Sequence, residues 1–492
     1  MKQTQRVSRG VTFILAAWAV LVLAGCNGGT DGAALTSPAA PSGLIATAAS
    51  TTVINLAWTD NSNNETGFKI ERSADNITFT EIVTTAANVV AYSNTGLSAS
   101  ATYYYRVRAT NSAGDSAYSS VANATTSGSG TFTTFQAASV VIGQPTFTAH
   151  YNNQDGLAGA NTINSGPYGN PVVVNGVLYV SDNTNNRVLG FNSIPTSNDA
   201  SADFVLGQPD MTSTGTGSAA NQLTSPEGVA SDGTRLFVTD YNNSRILIWN
   251  TAPTTTQAAA DVVVGQPGFG SVATGCTATL MNYPEGVTAA GGKLIVADTA
   301  NSRILIWNSI PATNGVPADI VLGQNSFTTC VGNDDNQDGT QETATARTFW
   351  NPSGIWSNGI KLIVADRAND RVLIWNSFPT TNFQAADVVL GVGTLSYPFS
   401  LDSDGTRLFV ADYYNNRVLI WNSIPTDDSP ADAVLGQSDF MHTMQNDDDQ
   451  DGANDGAPTA RTLFHPIGVY AIGTKLFVAD GENSRILIFE AH

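Results

Sequence analysis

The sequence predicts an all-β protein, and three observations predict it. A short block recurs six times, clearest as Leu408-Phe-Val-Ala-Asp412-Tyr-Tyr-Asn-Asn-Arg417-Val-Leu-Ile-Trp421-Asn422. Only 13% of the residues are charged, while Gly, Thr, Ser and Asn are abundant, which suits short strands joined by many turns. In Ile304-Leu-Ile-Trp307 both alternating faces are apolar, as in a strand covered on both sides.

The chain has 492 residues, enough for two or three domains and a large core. Its first 25 residues read as an export signal. Lys2, Arg6 and Arg9 are basic, and Val11 to Leu23 is a mostly apolar run too short to span a bilayer comfortably. The run ends in Leu23-Ala24-Gly25-Cys26. This ending resembles the bacterial lipobox, which implies a diacylated Cys26 as the first mature residue. An ordinary secretory signal with a chance Cys is the alternative. Asn27 stands where Asp would signal inner-membrane retention, so the resemblance implies the outer membrane. Acyl chains at about 0.8 kcal/mol per buried methylene would anchor the chain.

Loss of residues 1–25 takes the net charge from −20 to −23. So acidic a chain repels nucleic acid and anionic lipid, leaving the anchor as its membrane contact, and it suits cations. With Cys26 acylated, Cys276 and Cys330 remain, an even number for an oxidising compartment. Each follows a Val-Gly-Gln or Leu-Gly-Gln strand end in successive repeats. A disulfide between them is expected, with two free thiols as the alternative.

Residues 26–41 are small and polar and read as a flexible tether. Residues 42–126 alternate short apolar runs with turn signals, as in a β-sandwich. The segment carries Pro41-Ser42-Gly43-Leu44, Trp58, Gly67-Phe-Lys-Ile-Glu-Arg72, Leu97, Thr102-Tyr-Tyr-Tyr-Arg-Val107 and Asn111-Ser-Ala-Gly-Asp-Ser116. On those residues it resembles a fibronectin type III domain, with Tyr103 at the position of that family's corner tyrosine. There is no Arg-Gly-Asp, so integrin-type adhesion has no support. A spacer role follows more simply. Residues 127–134 form a second linker.

The repeats occupy 135–492. Each has an inner piece opening on a Pro (Pro167, Pro226, Pro284, Pro352, Pro398, Pro466). In five of the six, that Pro lies 14 residues before the Asp. A second piece ends at the Asp (Asp182, Asp240, Asp298, Asp366, Asp412, Asp480). A third opens on an Arg five residues later (Arg187, Arg245, Arg303, Arg371, Arg417, Arg485) and ends on Trp or Phe. A fourth resembles Asp-Val-Val-Leu-Gly-Gln. Strands covered on both faces need neighbours on both sides, and radial repetition into a propeller supplies them. The sixth repeat lacks its fourth strand, and Ala138-Ser-Val-Val-Ile-Gly-Gln144 supplies one from the front of the array. The expectation is a six-bladed β-propeller whose last blade is closed by this N-terminal strand, with no exposed sheet edge. Asp-x-x-Asn-x-Arg-Ile/Val-Leu-Ile-Trp makes the array resemble the NHL-repeat propellers. That family hosts binding proteins and a few enzymes.

Six equal copies of Asp, Arg and Trp point to architecture: an Asp–Arg pair at a tight hairpin and blade-to-blade packing. Function is expected where the copies differ. The connections from fourth strand to next Pro range from 6 to 29 residues and share one rim. Two of them carry Asp-x-Asp/Asn-x-Asp-Gly: Asp334, Asn336, Asp338 and Gly339, then Asp447, Asp449, Asp451 and Gly452. Alternating carboxylates before a turn-forming Gly can wrap oxygens around Ca²⁺, although Thr345 and Pro458 stand where an EF-hand has Glu. A weak, structural Ca²⁺ site is one expectation and a solvated acidic loop the other. Asn152-Asn-Gln-Asp-Gly156 is a poorer relative. His150, His442 and His465 lie on the same rim without a zinc spacing, and no nucleophile, phosphate-loop or haem motif occurs.

The favoured reading is a monomeric cell-envelope lipoprotein whose propeller face binds a protein, peptide or glycan. No catalytic or cofactor-binding residue is assigned. Tyr241, Tyr283, Trp350, Tyr397, Tyr413 and Tyr414 lie on the rim that would bind. The alternative is a metal-dependent lyase or hydrolase with its site at the central channel.

Overall fold

The computed structural model describes residues 36–492, apart from 49–51, 99, 127, 129 and 165. The expected signal segment, Cys26 and most of the tether lie outside the described residues. Among these there is no α-helix.

The N-terminal unit is a sandwich of two antiparallel sheets. Ser42–Ala48, Ile54–Thr59 and Ala91–Asn94 form one. Gly67–Ser73 and Thr102–Asn111 centre the other, flanked by Thr80–Thr84, Gly114–Asp115 and Ala122–Thr125. The period-two burial of Ile54–Thr59 puts Ile54, Leu56 and Trp58 inside, against Phe68, Ile70, Tyr105 and Val107. Tyr103 accepts the N–H of Ser98 through its hydroxyl at 3.1 Å, which fastens the corner before its strand. Residues 36–41 dock on this unit: Asn64 and Asn111 both donate to the Thr36 carbonyl, and Asn61 donates to that of Ala40. The last residues of the expected tether are therefore held by three asparagine side chains.

The repeats form six four-stranded antiparallel sheets among the described residues. In the second, Pro226–Ser231, Leu236–Asp240, Arg245–Trp249 and Val262–Val264 pair in sequence order. The last combines Pro466–Ile472, Lys475–Asp480 and Arg485–Glu490 with Val140–Ile142, in the register Ile486↔Ile142, Leu487↔Val141 and Ile488↔Val140.

The third strands are buried on both faces; Arg303–Trp307 is buried throughout. The repeated Trp meets both of its needs there. Trp307 is 1% exposed, and its indole N–H donates to the Val316 carbonyl at 2.9 Å. Six apolar clusters lie between sheets. Among the described residues, five of them draw mainly on two sheets adjacent in sequence order. The remaining one joins Leu178 and Leu189 of the first sheet to Ile467, Phe477 and Ile486 of the last.

The inner strands approach so closely that several positions on them, Gly286 and Gly468 among these, have no room for a Cβ. A Cβ on Gly286 would sit 1.9 Å from the Ser353 carbonyl oxygen, and one on Gly468 would sit 2.2 Å from that of Gly169. Asn170 also spans sheets, donating to Leu401 and accepting from Val469.

Each repeat is pinned at one end by its Asp. Asp240 accepts Arg245 Nε at 2.7 Å and Asn243 Nδ2 at 2.8 Å on one oxygen. Its other oxygen accepts the N–H of Thr224 at 2.7 Å, which fixes the incoming connection. The Arg–Asp distance is 2.6–2.8 Å in all six copies. Pro226 pairs with Asp240, so the connections end at the same edge of each sheet as the Asp–Arg hairpins.

Candidate binding cup and acidic loops

Three positions in each repeat lie at the ends of the inner strands on the hairpin edge: the residues on either side of the Pro, and the residue after the Asp. The invariant Pro and the Asp pin fix their backbones, so their side chains are free to differ. Before the Pro stand Ser225, Tyr283, Asn351, Tyr397 and His465, all with left-handed backbones, φ from 49° to 59°. Such φ values are uncommon for aromatic residues and cluster at functional sites. After the Pro come Tyr168, Glu227, Glu285, Ser353, Phe399 and Ile467. After the Asp come Asn183, Tyr241, Thr299, Arg367, Tyr413 and Gly481.

Some of these side chains surround a cavity of about 470 Å³, lined by Tyr168, Ser225, Glu227, Tyr241, Glu285, Arg367 and Phe399, among others. Glu227 and Glu285 also line a narrower cavity that continues inward past Gly169, Gly228, Gly286 and Gly354.

At the floor of the cup Arg367 grips Glu285 with both terminal nitrogens, at 2.5 and 2.9 Å. Its guanidinium lies over the rings of Tyr397 and Phe399, 5.0 and 4.7 Å from their centroids. Glu227 lies beside this pair and is 7% exposed. Burial first, and the Glu285 charge second, push its carboxyl well above the usual carboxylate range. Burial likewise raises the Tyr241 hydroxyl to about 12.

The wall is aromatic. Tyr241 stacks on Tyr283 at 5.0 Å. Opposite them, Tyr397, Tyr413 and Tyr414 lie within 4.9–5.8 Å of one another, and the His465 imidazole stacks on Tyr413 at 4.1 Å. Burial lowers the His465 pKa, favouring the neutral ring. Five of the six aromatics expected on the rim thus fall into two clusters, of which Tyr241 lines the cavity. Trp350 stands 41% exposed, its N–H bound to Asp366.

The three rim histidines take separate roles. His150 stacks on Tyr151, His442 bonds Asp439 at 2.9 Å, and His465 joins the cup wall. Cys276 and Cys330 are disulfide-bonded, with Cα atoms 6.4 Å apart.

The two acidic loops share one conformation. Asp334 and Asp447 are buried and accept backbone N–H groups of the turn, from Asp338 and Gly339 and from Asp451 and Gly452. Each loop is buttoned to the neighbouring hairpin by a reciprocal amide pair, Asn333–Asn369 and Asn446–Asn483. Asn336 donates to Asp338 and to Glu342, while Asp451 accepts from Ala453. In the second loop, Asp447, Asp449 and Asp455 bring one oxygen each within 4.8 Å of the others. They are the one such His/Cys/Asp/Glu group among the described residues. Asp455 joins this group where the sequence suggested Asp451. Its equivalent, Glu342, caps the N–H groups of Asp335 and Asn336 in the first loop. The missed signal was an acidic residue eight positions after the first Asp in both loops. Three carboxylate oxygens are hard donors of the kind Ca²⁺ takes.

The class of the N-terminal unit follows from comparison with known families. Residues 39–125 match the fibronectin type III domain, and residues 281–307 match the NHL repeat. The chain therefore carries an N-terminal fibronectin type III domain and an NHL repeat within an all-β array of four-stranded sheets.

Solved structures match the N-terminal domain. FN3tt is 25% identical over 19% of this chain and 98% of its own, with a TM-score of 0.17. An Fn3-like protein from Clostridium thermocellum is 28% identical over 18% of this chain and 92% of its own, with the same TM-score. A β-1,2-glucanase from Parabacteroides distasonis is 26% identical over 19% of this chain, again at 0.17. The chain spans 13% of that glucanase and 32% of the matched titin fragment A168–A170. No curated protein matches the chain.

Proposed function

We propose that the six sheets form a six-bladed NHL-type β-propeller, closed by Val140–Ile142, that binds its ligand in the axial cup on the hairpin face. The observation that carries this reading is the convergence of Glu227, Glu285, Arg367, Tyr168, Tyr241 and Phe399 on one cavity, with Tyr283 stacked on Tyr241 and Tyr397 under the Arg367 guanidinium beside it. The repeats are alike where they build sheets and unlike at these few positions, which is the distribution a single asymmetric site requires. Closure is supported by the contact of Gly468 with Gly169 and by the cluster shared by the first and last sheets.

The protein would be a lipoprotein held at the cell envelope through Cys26, with the fibronectin domain as a spacer. That placement rests on the Leu-Ala-Gly-Cys segment and the tether. The ligand would be a peptide, protein or glycan group small enough to enter the cup. Asp447, Asp449 and Asp455 would hold Ca²⁺ as a structural clip, with Asp334, Asn336, Asp338 and Glu342 as a weaker counterpart.

Peptide and glycan arrays probed with the full chain test the reading. Tyr283 and Tyr414 are 38% and 54% exposed, so replacing both with Ala leaves the core untouched. Ligands captured by the parent chain should be lost by this double variant. Ligands retained equally by both chains would place binding elsewhere and defeat the proposal.

A further inference from the structure

Glu227 lacks the partner its burial calls for, as do the donor Arg367 Nε beside it and His465 Nδ1. Glu227 is 7% exposed, and its Oε2 is buried and accepts no hydrogen bond among the described residues. A buried acceptor of that kind is costly and calls for an explanation. Its neighbours do not supply the donor. Arg367 is the one basic side chain lining the cavity, and both its terminal nitrogens are on Glu285. The lining holds two carboxyl groups against one guanidinium, so ionisation of Glu227 leaves one negative charge without a counter-charge.

The surroundings select among cations. Ca²⁺ takes six to eight oxygens, and Mg²⁺ a near-octahedral shell. Both Glu285 oxygens are already committed to Arg367, so the site offers a metal too few carboxylate oxygens. Tyr168, Tyr241 and Phe399 line the same cavity, and aromatic faces attract organic cations. An anion would disfavour ionised Glu227 further, and a neutral sugar would bring it no counter-charge.

We propose that the cup takes the protonated amine of its ligand, with Glu227 as the counter-charge and hydrogen-bond acceptor and the Tyr168 and Tyr241 rings as its walls. A lysine side chain or an aliphatic diamine has the required chemistry. The inference rests on the reading of the cup as a binding site and names the chemical group it recognises. The arrival of a cation also stabilises the ionised form of Glu227, which burial and Glu285 otherwise disfavour.

Calorimetric titration of the full chain tests this with two probes that differ only in the terminal ammonium, Nα-acetyl-lysine N-methylamide and its norleucine counterpart. The lysine probe should bind saturably, and the norleucine probe at least about tenfold more weakly, as for loss of a charge-assisted hydrogen bond. Glu227→Gln, nearly isosteric, should lower affinity for the lysine probe about tenfold while keeping the parent circular dichroism. The two-probe comparison on the unaltered chain stands even if that variant folds poorly.

Equal binding of the two probes would overturn the proposal. So would an unchanged affinity in Glu227→Gln, or competitive displacement of lysine by Mg²⁺ or Ca²⁺ at a single site. If the lysine probe fails while a neutral oligosaccharide binds and is lost in the Tyr283→Ala, Tyr414→Ala double variant, the amine assignment falls and the cup remains a binding site. If no probe or array ligand depends on those tyrosines, both fall.

Discussion

Arg367 and Glu285 lie 82 residues apart in sequence and meet in a buried, bidentate pair, Nη1 to Oε2 at 2.5 Å and Nη2 to Oε1 at 2.9 Å. The pair bonds the hairpin of one sheet to the inner strand of the sheet before it. It also neutralises one of the two carboxylates at the cup floor. Removing the cation should therefore cost far more than a surface ion pair does.

Arg367→Met should lower stability by about 3–5 kcal/mol at neutral pH, the usual effect of orphaning a buried charge. Glu285 and Glu227 would then face each other without a cation. Burial raises both folded-state pKa values, so the folded variant holds protons that the unfolded chain has released. Stability of the variant should fall as pH rises above the ordinary carboxylate range and recover toward pH 5. Urea melts at pH 5 and pH 7 measure this. A loss independent of pH would mean that Arg367 acts through packing on Tyr397 and Phe399 alone.

The hairpin pins give a second contrast. Asp240 and Arg245 are fully buried at 2.7 Å, whereas Asp232 and Arg235 make an ion pair of the same length near the surface. Asp240→Ala should cost about 3–5 kcal/mol, and Asp232→Ala about 1 kcal/mol or less. Denaturant midpoints of the two variants check the ranking.

Asp402 provides a pH signature. Burial pushes its carboxyl up to about 8, against the pull of the N–H groups of Ala471 and Ser403 that bond it. The folded chain therefore keeps this proton where the unfolded chain has lost it. Stability should decline between the ordinary value of 3.8 and about 8, by up to about 1.4 kcal/mol per pH unit. Asp402→Asn should remove that decline and raise the melting temperature at pH 8. Parallel pH profiles in the parent and variant chains would refute the assignment.

At Gly286 a methyl group would need the space of the Ser353 carbonyl oxygen, 1.9 Å away. Gly286→Ala should lower stability by about 2–4 kcal/mol. At Gly233, where a Cβ meets nothing within 4 Å, the strain is that of its positive φ alone, and Ala should cost about 1 kcal/mol. Thermal melts of the two variants compare crowding with conformation.

Ca²⁺ should bind the second acidic loop with a dissociation constant of about 10⁻⁴–10⁻³ M, as extracellular modules do. Asp447→Asn with Asp449→Asn should abolish the resulting rise in melting temperature. A rise that survives in that variant would move the site elsewhere.

Much of the fold was legible because its cause is repetitive. Strands such as Arg245–Trp249 are apolar on both faces since they pack between neighbours, and six copies repeat the message. The Asp–Arg pin was legible for the same reason. The cup was not. Tyr168, Arg367 and His465 each occur once and Glu227 and Glu285 in two copies only, beside an invariant Pro or Asp, and they look like noise in the repeat. They form a site only because the inner strands bring those positions together. Loop length drew attention to the right rim but to the connections rather than their ends. Aligning the six copies on Pro and Asp would have exposed these positions as the variable, chemically mixed ones.

The front of the array completes the last sheet. Val141 and Leu487 are directly paired there. Cysteines at both positions, oxidised in the folded chain, should give an intramolecular cross-link in monomeric protein and a higher melting temperature. Failure to cross-link, or cross-links only between separate molecules, would contradict the account.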